Sequence, residues 1–482
     1  MSVDQRIISR NPATNEPIWS GSLADDAAIA QAVFAATRAQ HTWEATPLDA
    51  RKDIIRAFAD QVTTHSEDAA RIISQDNGKP LWEARTEVKS LGNKVQAVFD
   101  AYDQRAQTVT KQVNGRQSVT RYRPHGVMAV LGPYNFPMSM PNSHVMPALL
   151  AGNTVIFKPS EKVPYAGEYY AQLWQQAGLP DGVLQVIHGD GDVAQKLIAH
   201  PQVNGVLFIG SRAAGVSIEK QLAGAPDKIC ALEMGGNSPL VIWDYDDVRI
   251  AVHIAVQSGY ISSGQRCSSA RRLIVNEAIA DEFIPALRQA VASIVVGNQF
   301  DTNPMPFMGP LVDYGAVRHF FDKYHAAVSA GAHVLVPAEP IPTLGDNFVS
   351  PGLIDVTGVL LPDEEIFGPL LQMSTVQTLA EAITQANATQ FGLAAGIVTR
   401  ERAQYESFYQ QTKAGIINWN QPLTGATTAA PFGGAKASGN YRSAGFLSVD
   451  YCSYPCASIE DASPAVPATL PAGVMYQITK VS

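Results

Sequence analysis

Two stretches of the chain carry residue types that can do covalent chemistry. One is Glu233-Met234-Gly235-Gly236-Asn237-Ser238-Pro239. The other is Gly264-Gln265-Arg266-Cys267-Ser268, with Cys267 34 positions after Glu233. A free cysteine is ordinarily a small buried hydrophobe. Cys267 differs because Gly, Gln, Arg and two Ser surround it, a poor composition for a core. Arg266 beside it is expected to favour the thiolate, the nucleophilic form. Cys230, inside Lys-Ile-Cys-Ala-Leu, is the better core candidate. Cys452 and Cys456 have no His or second Cys pair at ligand spacing, so no metal is expected. A thiol hydrolase would need a His beside its Cys, and none lies within ten residues of Cys267.

Two further stretches could hold a phosphorylated ligand. The run Val206-Leu207-Phe208-Ile209-Gly210-Ser211-Arg212-Ala213-Ala214-Gly215 reads as a strand that turns into a helix. Free N–H groups at a helix start attract an anion. The full Gly-x-Gly-x-x-Gly fingerprint is absent, and a plain glycine-closed turn accounts for the pattern equally well. Lys158-Pro159-Ser160-Glu161 closes a neighbouring strand. A carboxylate there can bind an adenine ribose 2′-hydroxyl and repels a 2′-phosphate, so Glu161 points to NAD over NADP. The alternative is a solvated Lys–Glu pair, worth little.

These residues need a scaffold. From residue 126, apolar strands at 127–131, 154–157, 184–187 and 206–209 alternate with helices at 141–150, 166–177 and 192–199. That alternation predicts a parallel sheet covered on both faces, with ligands at the carboxyl ends of its strands. A second α/β segment runs from 239 to about 440. The first hundred residues read as helices, one ending at Gly78 with Pro80 beyond it. Residues 107–124 alternate Val and Thr around Asn114-Gly115, a hairpin signal, and are polar enough to form an extended arm. After Tyr451 and Tyr454 comes a Pro/Ala-rich tail.

A chain of 482 residues is too long for one core. With 35 Lys+Arg against 44 Asp+Glu, the net charge of −9 gives no basic face, so no nucleic-acid partner is expected. No apolar run suits a membrane span or a leader, and four cysteines suit a reducing compartment, so a cytoplasmic enzyme is expected.

Seven motifs in order carry a resemblance. They are Pro133-Tyr134-Asn135-Phe136-Pro137, Phe157-Lys158-Pro159-Ser160-Glu161, Phe208-x-Gly210-Ser211, Glu233-Met-Gly-Gly, Gly264-Gln265-Arg266-Cys267, Glu365-Ile366-Phe367-Gly368-Pro369, and Pro431-Phe432-Gly433-Gly434-x-Lys436-x-Ser438-Gly439. Together they resemble the aldehyde dehydrogenase superfamily. The resemblance implies an α/β fold with a Rossmann-type parallel-sheet cofactor domain (1–106 and 125–235) and an α/β catalytic domain (236–445). An oligomerisation β-arm with a tail (107–124 and 446–482) completes it, in a homodimer or tetramer.

It further implies that Cys267 attacks an aldehyde to give a thiohemiacetal and then a thioester. The Asn135 amide and the Cys267 backbone N–H would meet the oxyanion, and Glu233 would activate water. NAD would lie along Lys158, Glu161 and the Gly210–Gly215 turn, with Glu365 on the nicotinamide ribose and Phe367 beside it. Within the superfamily, Arg121-Tyr122-Arg123-Pro124-His125-Gly126, the stretch from Asn418 to Ala426, and Asp450-Tyr451-Cys452 suggest a branch acting on an N-succinylated semialdehyde in arginine breakdown. An anionic small-molecule substrate calls for local positive charge, and Arg266, His144 and Arg442 are the expected partners. Two departures stand out. Tyr134 occupies a place where most members carry Trp, and the usual opening Asn-Gly strand hairpin is not signalled.

Overall fold

The computed structural model describes residues 6–425, 427–463, 469 and 471–475. The part of the Pro/Ala-rich tail at 464–468 and 470, like the terminal 476–482, lies outside the described residues.

Two sheets organise the molecule. The first has five parallel strands in the order Leu184–Val186, Thr154–Lys158, Val127–Leu131, Gly205–Gly210, Ile229–Met234. Every residue of Val127–Leu131 and Thr154–Lys158 is buried, which is why these strands read as unbroken apolar runs. The chain enters at the middle strand, winds to one edge, and returns to the other side. The direction therefore reverses between Val127–Leu131 and Gly205–Gly210, where Leu131 pairs with Phe208. Loops leaving such a switch point diverge and open a crevice.

The second sheet has seven strands in the order His333–Val336, Gly352–Asp355, Leu370–Val376, Ala270–Asn276, Ser238–Ile242, Ala394–Val398, Ile416–Trp419. All pairs but the first are parallel. Strand Ile229–Met234 of one sheet leads through residues 235–237 into strand Ser238–Ile242 of the other, so Glu233 stands at the seam.

Helix Asp26–Ala45 packs on the first sheet, while Leu48–Thr64, Ser66–Asn77 and Leu81–Arg105 pack on helices Ser139–Ala151 and Pro164–Gln176, and their apolar stripes carry the 3.6-residue period of the sequence. Phe58 stacks on Trp174 with ring centroids 3.9 Å apart. Trp43 donates its indole N–H to the Leu149 carbonyl at 3.0 Å. Helix Ser66–Asn77 ends at Gly78, whose φ of 82° is the left-handed cap that glycine adopts without strain.

The opening of the chain corrects the sequence reading. Strands Arg6–Arg10 and Pro17–Ser22 form an antiparallel hairpin where helices alone were expected. Its connection spans 11–16 and turns on Asn15 at φ 61°, so no Asn-Gly pair announces it. Arg10 donates to the Asn15 carbonyl at 3.0 Å, and the Ser9 hydroxyl bonds buried Asp76.

The hairpin at 107–124 is present as Val109–Val113 and Arg116–Pro124, with Asn114 and Gly115 both left-handed. Strand Ser453–Glu460 pairs along Arg116–Pro124, giving a three-stranded arm. All five residues of Val109–Val113 are exposed. Among the described residues no helix is long and apolar enough to cross a membrane.

Candidate active site

At the switch point lies a cavity of about 390 Å³. The loop after Val127–Leu131 contributes Gly132, Tyr134 and Asn135, and the turn after Gly205–Gly210 contributes Gly210, Ser211 and Ala214. Glu233 lines it from the seam, Glu161 from the neighbouring strand end, and Cys267, Glu365 and Phe367 from the second sheet's side. Residues spread over more than two hundred positions thus face one space.

Cys267 follows a turn of unusual backbone. Ser262, Ser263 and Gly264 are all left-handed, at φ 58°, 54° and 69°. A non-glycine residue persists there only when its surroundings over-determine it. The Ser262 hydroxyl bonds Glu83, and Ser263 donates to the Gly309 carbonyl at 2.8 Å. Fully buried Arg271 donates to the carbonyls of Gly264 (2.5 Å), Gly368 (3.0 Å) and Arg266 (3.1 Å). A Cβ on Gly264 would run into the Gly368 carbonyl oxygen.

Arg266 favours the thiolate, as expected, but is outweighed. Burial, then Glu365 and Glu233, push Cys267 up to about 12, while the Ser268 backbone N–H and Arg266 oppose this only weakly. Arg266 is committed elsewhere. Its guanidinium bonds Glu83 at 2.8 Å and the Ser262 hydroxyl at 2.7 Å.

Asn135 donates one side-chain N–H to the Gln265 carbonyl at 2.9 Å, which ties its loop to the turn before Cys267. Its amide keeps a second N–H. Its own carbonyl accepts from Lys79 Nζ at 2.7 Å and Asn77 at 3.3 Å. Glu233 accepts from the Ala444 N–H at 3.1 Å through one oxygen, and its other oxygen is buried without a partner among the described residues. Burial raises its carboxyl well above the usual range, with the Ala444 contact working against the shift. Glu365 lies across Gly235-Gly236, where a Cβ on Gly235 would overlap it, and accepts from the Gly236 N–H at 3.2 Å. Burial pushes its carboxyl up to about 7 against the pull of Arg271. Phe367 meets Tyr134 edge to face at 5.8 Å.

On the other bank, the Ser211 hydroxyl caps helix Arg212–Leu222 by accepting from the Ala214 N–H at 3.3 Å. Arg212 and Ala213 are exposed away from the lining, and Gly215 is buried against Met234. Lys158 does not line the cavity. Its ammonium is buried and donates to the carbonyls of Pro159 (2.9 Å) and Gly189 (2.6 Å), with Glu161 at 3.7 Å. The bare N–H groups at this helix start, the half-exposed Glu161 and the Glu365–Phe367 pair border one continuous cavity, an arrangement that fits an extended dinucleotide.

The three cations expected for the substrate do not line the cavity. His144 is fully buried on helix Ser139–Ala151, its Nδ1 2.9 Å from the Tyr451 hydroxyl, and burial with Lys94 pushes it down to about 3. Arg442 is exposed near His125 and Cys230. Arg266 is held by Glu83. Proximity along the chain was the only basis for these three, and the fold directs their side chains elsewhere. The cavity instead includes Lys162, Met140, His319 and Leu393, which lie in none of the motifs, and Phe432, which stands in the last motif without an assigned role. Lys162 adjoins Glu161 in sequence, a signal that could have found it.

The sequence model of the aldehyde dehydrogenase family matches residues 1–454, and the chain belongs to that family. It is an oxidoreductase acting on aldehydes with a nicotinamide cofactor. Among its relatives, the N-succinylglutamate 5-semialdehyde dehydrogenase of Erwinia tasmaniensis is 44% identical over 478 residues, covering 99% of this chain and 96% of that one. Among solved structures, an indole-3-acetaldehyde dehydrogenase complexed with NAD+ superposes with a TM-score of 0.90 at 29% identity, covering 95% of this chain and 93% of that one. A glyceraldehyde-3-phosphate dehydrogenase of Methanocaldococcus jannaschii complexed with NADP gives 0.88 at 25%, covering 95% and 100%.

Proposed function

We propose that this enzyme oxidises N-succinylglutamate 5-semialdehyde to N-succinylglutamate with NAD, as a step of arginine breakdown. The observation that carries the reaction class is the meeting of Cys267, Asn135 and Glu233 in one cavity with the Gly210-Ser211 turn. Identity of 44% over nearly the whole chain to a relative of that name supports the substrate.

Cys267 Sγ, once deprotonated, adds to the aldehyde carbon and forms a C–S bond. The carbonyl oxygen gains negative charge and is met by the free N–H of Asn135 and the Cys267 backbone N–H. A nicotinamide held there would supply the acceptor for the hydride on that carbon, leaving Cys267 as a thioester. Glu233 takes a proton from water, whose oxygen attacks the thioester and displaces the thiol. The presence of Glu233 favours hydrolysis over transfer to a second thiol. Ser211 and the N–H groups after it would hold the pyrophosphate, Glu161 the adenine ribose, and Glu365 with Phe367 the nicotinamide ribose. The exposed edge Val109–Val113 suits a homo-oligomer built through the arm, and four free cysteines suit the cytoplasm.

The test is a panel of aldehydes with NAD and with NADP, followed by the absorbance of the reduced cofactor. The succinylated semialdehyde with NAD is expected to give the highest kcat/KM. A higher value with succinate semialdehyde would overturn the substrate, and no reduction with any aldehyde would overturn the activity.

A further inference from the structure

Helix Leu81–Arg105 buries two of its carboxylates, Glu83 and Glu87, four positions apart and so on one face. Both side chains have no exposure. Each is tied to a different half of the reaction centre. Glu87 bonds Lys79 Nζ at 2.7 Å through one oxygen. Its other oxygen accepts the backbone N–H groups of Met138 and Ser139, each at 3.2 Å. Lys79 in turn donates to the Asn135 carbonyl at 2.7 Å. Glu87 therefore pins the Asn135 loop at both ends, through Lys79 at its start and directly at its close. Glu83 bonds Arg266 and the Ser262 hydroxyl, inside the left-handed turn that presents Cys267. The Phe136 ring joins the halves, with Lys79 Nζ 3.8 Å and the Arg266 guanidinium 4.9 Å from its centroid.

We infer that Glu83 and Glu87 are positioning residues, one helix turn apart, that set the spacing between the Cys267 sulfur and the Asn135 amide. This rests on the proposed roles of those two groups. Stability alone does not call for the arrangement, because buried ion pairs are often replaced by apolar groups without loss. What apolar groups cannot do is orient two backbone N–H groups, a carbonyl and a serine hydroxyl at once. Burial works against the charge on Glu83, yet Arg266, Lys79 and Ser262 hold its carboxyl below the usual range. The carboxylate thus stays an acceptor for its two partners.

The experiment is the double variant Lys79→Met/Glu87→Gln, which removes both members of the buried pair; buried Lys94, which also lies in the field of Glu87, keeps its bond to the Ser139 carbonyl. The expected result is a thermal midpoint close to wild type and an unchanged KM for NAD. Its kcat should be lower by about ten- to a hundredfold, the scale of an ångström misplacement. Wild-type kcat in this variant, with Cys267→Ala inactive, would overturn the brace alone. Activity retained by Cys267→Ala would instead remove the reading beneath it. Should the double variant not fold, Glu83→Gln answers the same question. Iodoacetamide labelling of Cys267 should then change severalfold with a shifted pH profile, and an unchanged profile with wild-type kcat would overturn the inference.

Discussion

The two banks of the cavity are built differently. Around Cys267 the chain is gripped from several directions: Ser262 and Ser263 are left-handed, Arg271 binds three carbonyls, and Glu83 reaches in from a helix 179 positions away in sequence. Along Gly210–Ala214 one serine hydroxyl caps an ordinary helix start, and residues 211–214 lie exposed. The contrast fits the role proposed for each bank. Bond formation tolerates little misplacement of the nucleophile, so that backbone is over-determined. Holding a phosphate needs only bare N–H groups and space, so that backbone is left simple.

Variants can break or sharpen the contrast, and the largest effect belongs to the gripped bank. Cys267→Ala should lower aldehyde oxidation on the order of 10⁴-fold or more, with cofactor binding by calorimetry little altered. Glu233→Gln should lower steady-state kcat by about 10²–10⁴-fold while a first-turnover burst of reduced cofactor survives, separating attack from hydrolysis. Gly264→Ala puts a Cβ into the Gly368 carbonyl at φ 69°. It should cost about 10²-fold in kcat and lower the thermal midpoint, and wild-type behaviour would show that the turn is not over-determined.

The pH dependence tests the same bank without mutation. Burial pushes the Cys267 thiol up to about 12, so the thiolate is scarce at neutral pH and grows as protons are withdrawn. Alkylation of Cys267 in the enzyme without cofactor should therefore rise about tenfold per pH unit between 7 and 9; a plateau there would mean a thiol already ionised. The raised Glu233 carboxyl has the same sign, since only its deprotonated form accepts a proton from water. On the open bank the effect is smallest. Glu161→Gln should raise the NADP-to-NAD ratio of kcat/KM by about two- to fivefold, because a half-exposed carboxylate acts through solvent.

Much of the scaffold was legible in the residues. Unbroken apolar runs announced the parallel strands at 127–131 and 154–157, Asn114-Gly115 the arm hairpin, and Gly78 a helix end, because each depends on a local period or a local φ. The hairpin at Arg6–Arg10 was not, since its six-residue connection carries no short turn signal. The site divides the same way. Cys267 and Glu233 stood out by composition and motif. Glu83, Glu87 and Arg271 did not, because a buried charge looks like any helix-surface or strand-end charge until its partner is known.

By itself the sequence determined the alternation of strands and helices, the family to which they belong, and the candidate nucleophile among four cysteines. The tertiary structure alone decided that Arg266 serves Glu83 rather than the thiol, that His144 faces Tyr451 rather than a substrate, and that Cys267 and Glu233 hold their protons more tightly than usual. Local patterns fix backbone shape through short-range sterics and periodicity. Protonation and charge pairing depend on burial and on partners far along the chain, and only the folded arrangement brings those into contact.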